Sequence, residues 1–130
     1  MDFEKEIYKV LVIEDEPDLV ELMITHLESR YDVKIFHSVD GIDAQFKLNN
    51  DKFNLVILDF NIPKVPGTQI LKRIYAKEFR FKPDKVIVIS GMIDEEACQK
   101  FQDKNIPSLM KPLNYDDLDK ILEGIVPLKE

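Results

Sequence analysis

Leu55-Val56-Ile57-Leu58, followed at once by Asp59, is the stretch that decides how this chain folds. Four apolar residues stand in a row without alternation. Such a run suits a strand buried on both faces, as in a parallel sheet covered by helices. Val10-Leu11-Val12-Ile13 and Val86-Ile87-Val88-Ile89 have the same character, and a weaker run spans Ile106 to Met110. Val33-Lys34-Ile35-Phe36 alternates more and reads as an edge strand, second of five in chain order.

Helical patterns fill the gaps. Asp18 to Arg30, opened by Pro17, carries Leu19, Leu22, Met23 and Leu27 at helical spacing. Ser38 is placed to cap a second helix running to about Leu48, with Ile42 and Phe46 on one face. Pro66 and Thr68 open a third, with Ile70, Leu71 and Ile74 inward. A fourth, from Asp94 to Asp103, is thinly apolar, with Ala97, Cys98 and Phe101. Asn114 caps the last, where Leu118, Ile121, Leu122 and Ile125 form the stripe expected to be buried. Strand and helix alternate five times, which predicts an α/β fold with a five-stranded parallel sheet wrapped by five helices.

The chain has 130 residues, enough for one ordinary domain, and no composition break marks a second. The expectation is a single domain over 1–130 with a core from about 9 to 125. Hydrophobic residues make up 45%, which favours folding over disorder. No apolar run approaches the roughly 18 residues that span a bilayer, and the charged start MDFEKEIYK is no secretory signal. A lone cysteine, Cys98, excludes an internal disulfide and suits a reducing cytoplasm. Its expected state is a packed thiol. A net charge of −7 argues against gripping a nucleic-acid backbone. The basic segment from Arg73 to Lys85 reads as a solvated face, and Tyr8, Phe53, Phe79 and Phe81 as covers for the sheet and loops. Val126 to Glu130 reads as a frayed end or the stump of a linker.

In a parallel sheet all the C-terminal strand ends meet at one edge, where ligands bind. Here Glu14-Asp15 follows the first strand, Asp59 the third, Ser90-Gly91 the fourth and Lys111-Pro112 the fifth. Strands commonly end in polar loops, but four such endings together point to a site. Three carboxylates about 5 Å apart repel by roughly 3 kcal/mol per pair at an effective dielectric of 20. A cation among them, or a proton on one, makes this tolerable. Hard oxygen ligands suit Mg²⁺, whereas His26 and His37 have no second His or Cys nearby to make a zinc site. A metal, a carboxylate and a lysine are the equipment of phosphoryl transfer, with the carboxylate attacking in line.

On these residues the chain resembles the receiver domain of two-component response regulators, including the single-domain chemotaxis regulator. The resemblance runs from about Lys9 to Ile125. Its landmarks are Glu14-Asp15, the segment from Asp59 through Asn61, Pro63 and Pro66 to Gly67, Ser90-Gly91, and Lys111-Pro112. It implies the flavodoxin-like strand order 2-1-3-4-5. It also implies that Asp59 is the phosphoacceptor, and that Asp15, Asp59 and the backbone carbonyl of Asn61 hold Mg²⁺, with Glu14 acting through water. Lys111 and Ser90 would contact the phosphoryl group, Gly91 would allow close approach, and the Lys111-Pro112 peptide would be cis. The implied donor is a sensor histidine kinase or phosphotransfer protein. The output partner is not implied. The domain would gain and lose its own phosphoryl group without acting as an enzyme on a separate substrate.

The chain departs from the family pattern at four places. Ser108 stands where an aromatic rotamer switch is usual, Pro66 replaces the acidic residue before the loop glycine, and Met92 and Asn61 occupy tuning positions. A serine leaves such a slot empty, so Met92, Phe101 or Met110 is expected to fill it, with Ser90 and its loop carrying the switch. Three rivals share the fold. An aspartyl-phosphate hydrolase needs a second Asp two residues after the nucleophile, where Asn61 stands. An FMN carrier needs a Ser/Thr/Gly-rich phosphate loop, where Glu14-Asp15-Glu16-Pro17 stands. A scaffold that is never phosphorylated would tolerate loss of acceptor-site residues, yet none is missing.

Overall fold

The computed structural model describes residues 6–91 and 104–130. Its five strands are β1 (Lys9–Ile13), β2 (Lys34–Ser38), β3 (Leu55–Asp59), β4 (Lys85–Ser90) and β5 (Ser108–Met110). All neighbours pair in parallel, in the order β2-β1-β3-β4-β5 that the resemblance implies. The register sets Ile13 beside Leu58, and Asp59 beside Ile89.

Period-two alternation along the strands divides the core in two. Leu11, Ile13, Val56, Leu58, Val86 and Val88 face one way and pack with Ala44, Leu48, Ile70 and Ile74. Val10, Val12, Leu55, Ile57, Ile87 and Ile89 face the other and pack with Met23, Leu27, Leu118 and Leu122. With both faces covered, β3 is buried along its whole length, while β2 is half open, as an edge strand should be.

Among the described residues there are four helices: α1 (Pro17–Arg30), α2 (Gly41–Asn50), α3 (Gly67–Tyr75) and α4 (Tyr115–Leu122). The pattern from Asp94 to Asp103 lies outside the described residues. Pro17 starts α1, and Asn114 caps α4 by accepting from the amides of Asp116 and Asp117 at 2.9 and 3.1 Å.

The helix faces depart from expectation in three places. In α2 the buried residues are Gly41, Ala44 and Leu48, while Ile42 and Phe46 are exposed. The cap is Asp40, which accepts from Asp43 N at 2.8 Å; Ser38 still belongs to β2, and its hydroxyl donates to the Asp43 carboxylate. In α1, Leu22 is exposed because the inward stripe runs through Val20, Met23 and Leu27. At the end of α4, Gly124 adopts φ +77°, which ends the helical register. Val126 is therefore buried and Ile125 is not.

The last residues do not fray. Asp32 N donates to Pro127 O at 2.8 Å, and Lys129 N to Arg30 O at 3.0 Å, so the tail folds back against the end of α1. Beside it, Tyr31 Oη donates to Asp119 Oδ1 at 2.5 Å and His26 Nε2 lies 2.9 Å from the same oxygen, which latches α1 to α4. Burial, and then the neighbouring Asp119 carboxylate, push the Tyr31 phenol up to about 12. The fold thus favours the neutral phenol. Its contribution is complete below the usual tyrosine value of about 10 and is lost as pH rises through about 12. Wild type is expected to melt above Tyr31→Phe near neutrality, with the gap closing over that alkaline window. A gap that stays constant in circular dichroism melts across the window contradicts the latch.

Candidate functional site

β3 delivers its last residue, Asp59, fully buried to the C-terminal edge of the sheet. β1 ends one residue before Glu14, which is also fully buried. The backbone of Glu14 is held from β2: its amide donates to Ser38 O at 3.0 Å, and its carbonyl lies 2.8 Å from His37 Nε2. On the other side Lys111 N donates to Ser90 O at 2.9 Å, which carries the β4–β5 pairing one residue past β5. The Lys111-Pro112 peptide is cis.

These placements bring the expected residues together. Lys111 Nζ lies 2.8 Å from Asp59 Oδ2 and 3.1 and 3.2 Å from the two carboxylate oxygens of Glu14. Carboxylate oxygens of Glu14, Asp15 and Asp59 lie within 4.8 Å of one another. Burial comes first among the causes that push the Glu14 carboxyl up to about 7, followed by its hydrogen bond with Asp59. Burial works against the Lys111 charge, but hydrogen bonds to Asp59 and Glu14 outweigh it and raise the ammonium above its usual value.

The loop after β3 completes the site. Asn61 N donates to Asp59 Oδ1 at 3.0 Å, and Asn61 Nδ2 reaches Ser90 Oγ at 3.4 Å. The loop is anchored from α2, where Gly41 N donates to Pro63 O at 3.1 Å and Lys64 Nζ pairs with Asp40 Oδ2 at 3.2 Å. Gly67 lies directly beneath the acceptor. A Cβ there would sit 2.6 Å from Asp59 O and 2.7 Å from Phe60 Cα.

Gly91 is exposed, and among the described residues nothing lies within 4 Å of where a Cβ would stand. Ser108 opens β5, half buried opposite Val88. Met110 is 61% exposed and fills no slot beside it, because it points away from the core; Met92 and Phe101 lie outside the described residues. Glu16 is the residue that sequence reading missed. Its Oε1 lies 3.3 Å from Lys111 Nζ, and its position in the Glu14 to Pro17 loop was the available signal. His26 Nε2 is engaged with Asp119 and His37 Nε2 with the Glu14 carbonyl, and neither histidine belongs to the carboxylate group Glu14, Asp15 and Asp59.

Residues 10–123 match the model of the response regulator receiver domain. The chain belongs to this family. Receivers of response regulators are signalling switches of two-component systems. The transcriptional regulatory protein BtsR of Escherichia coli (strain K12) is 28% identical over 118 residues, which cover 88% of this chain and 46% of BtsR. The receiver thus spans about half the length of that relative. The signal receiver domain of a putative LuxO repressor protein from Vibrio parahaemolyticus superposes with a TM-score of 0.80 at 26% identity, covering 90% of this chain and 88% of that one. The receiver domain of the sensor histidine kinase PA1611 from Pseudomonas aeruginosa PAO1, solved with magnesium in its active-site cleft, superposes with a TM-score of 0.74 at 19% identity, over 91% and 96% of the two chains. No described helix is long and apolar enough to cross a membrane.

Proposed function

We propose that this receiver, in the cytoplasm, accepts a phosphoryl group on Asp59 from the phosphohistidine of a sensor kinase or phosphotransfer protein, and that the change alters which partner it binds. The observation that carries this reading is the 2.8 Å approach of Lys111 Nζ to a buried strand-end carboxylate, with Glu14 and Asp15 beside it. An Asp59 oxygen forms the new bond to phosphorus as the phosphorus–nitrogen bond breaks, and the electron pair stays on the imidazole, which takes up a proton. Lys111 follows the charge from Asp59 onto a phosphoryl oxygen, and Ser90 donates its hydroxyl to another. Water later reverses the modification, so the domain switches itself and turns over no separate substrate.

The donor set fits Mg²⁺. It consists of hard oxygens, and Glu14 Oε2 is buried without an aligned hydrogen bond although Lys111 Nζ stands 3.1 Å away. Asp15, Asp59 and the Asn61 carbonyl would hold the ion, with Glu14 acting through water. When bound it supplies charge that offsets the phosphoryl oxygens. The hydrolase reading loses ground because an exposed Asn61 amide stands where its acid would be. Incubation with Mg²⁺ and a small phosphodonor should add one alkali-labile phosphoryl group, read by intact mass. No addition at any donor concentration overturns the reading and favours the unphosphorylated scaffold.

Asp15→Ala removes a proposed ligand and one of three crowded charges. Without metal this variant is expected to melt a few degrees above wild type, because repulsion is relieved. Its Mg²⁺ affinity should fall. A variant melting below wild type in chelator contradicts the strained acid cluster.

A further inference from the structure

The segment 72–85 carries Lys72, Arg73, Lys77, Arg80, Lys82 and Lys85 against only Glu78 and Asp84, on a chain whose net charge is −7. It covers the end of α3 and the loop into β4, at the sheet edge opposite Asp59. Elsewhere several lysines pair with carboxylates: Lys9 with Asp51, Lys47 with Asp43 and Lys64 with Asp40. Here the two local acids are already engaged, Asp84 by Lys52 at 2.7 Å and Glu78 by Arg73 at 3.8 Å. Lys77, Arg80 and Lys82 are exposed, and among the described residues none has a carboxylate partner. Aromatic rings hold two of these side chains in place instead. Lys82 and Lys104 both stand over Tyr75, at 5.2 and 5.4 Å from its centroid, and Arg80 stands over Phe81 at 5.1 Å.

We propose that this basic end is a docking surface for an acidic, Asp- and Glu-rich segment of a partner protein. Cations already restrained on rings lose little freedom on meeting carboxylates. An anionic partner also relieves the repulsion between the ammonium groups that share Tyr75. Two other polyanions fit less well. Single-stranded nucleic acid is gripped by stacking bases on open rings, and here Tyr75 and Phe81 already carry cations. An anionic membrane is gripped most firmly where large apolar side chains insert, and none of the exposed large apolar residues falls within 72–85.

The test titrates the whole chain into a fluorescent peptide of alternating Asp and Glu, followed by anisotropy at low and near-physiological salt. Parallel arms use a single-stranded thymidine oligonucleotide of equal charge and vesicles containing phosphatidylserine. Lys77→Glu/Arg80→Glu should weaken peptide binding about tenfold or more, since each change replaces attraction by repulsion. Lys129→Glu/Lys120→Glu, which alters net charge equally outside the patch, should change it less than about twofold. Circular dichroism checks that both variants fold; should the first not fold, Arg80→Gln/Lys77→Gln replaces it. Absence of peptide binding, an equal loss in both variants, or tighter binding to the oligonucleotide or the vesicles overturns the proposal. Phosphoryl acceptance at Asp59 is expected to be unchanged in both variants, so this result stands apart from the switch reading.

Discussion

Asp59→Asn is expected to abolish phosphorylation by a small phosphodonor, with intact mass showing no adduct where wild type shows one. The size of the effect follows from the chemistry. An amide keeps the shape of the side chain but has no anionic oxygen to attack phosphorus. The pocket should otherwise survive, because the Asn61 amide can still donate to the side-chain oxygen it now meets at 3.0 Å. Lys111 would keep Glu14 and Glu16 as partners. Glu14 would lose one of the groups that push its carboxyl upward, so its proton should leave more readily. An adduct of equal yield in the variant would show that another residue accepts the group and would remove Asp59 from its role.

Gly67→Ala is expected to destabilise the fold and to disturb the acceptor at the same time. Its Cβ would fall 2.6 Å from Asp59 O and 2.7 Å from Phe60 Cα, both backbone atoms of the strand end that carries the acceptor. Backbone cannot rotate away as a side chain can. Overpacking of this kind costs roughly 1–3 kcal/mol, against a gain of at most about 1 kcal/mol from better helix propensity at the start of α3. The net loss is about 1–2 kcal/mol, read by urea unfolding, and phosphorylation should slow because the carboxylate is displaced. Gly41 is crowded in the same way, since a Cβ there would fall 2.5 Å from both Val65 O and Val65 Cβ, so Gly41→Ala is expected to be costly too. A Gly67→Ala variant with an unchanged urea midpoint refutes this account.

The sheet was legible because burial on both faces leaves no place for polar residues. Val10 to Ile13, Leu55 to Leu58 and Val86 to Ile89 therefore announce themselves, and the polar residues that end them mark the edge where the site lies. Chain order alone does not say which strands touch, so the spatial order came with the family resemblance. The face of α2 was misread because large apolar residues weigh most in a sequence. Gly41 and Ala44 are small, and small residues are what let a helix lie close against its neighbours, so Ile42 and Phe46 were left to the solvent. Glu16 reaching Lys111 and Tyr31 reaching Asp119 are contacts between residues far apart in sequence, and no local spacing encodes them.

The folded-back tail also fixes where a tether would stand. Lys129 is hydrogen-bonded to Arg30 and Asp32 to Pro127, next to the start of β2 and hence at the far pole from Asp59. A dye, bead or surface linker joined after Glu130 would leave the reacting edge unobstructed. Under load it would first unzip those few hydrogen bonds and leave the sheet intact, so the tail would act as a mechanical fuse.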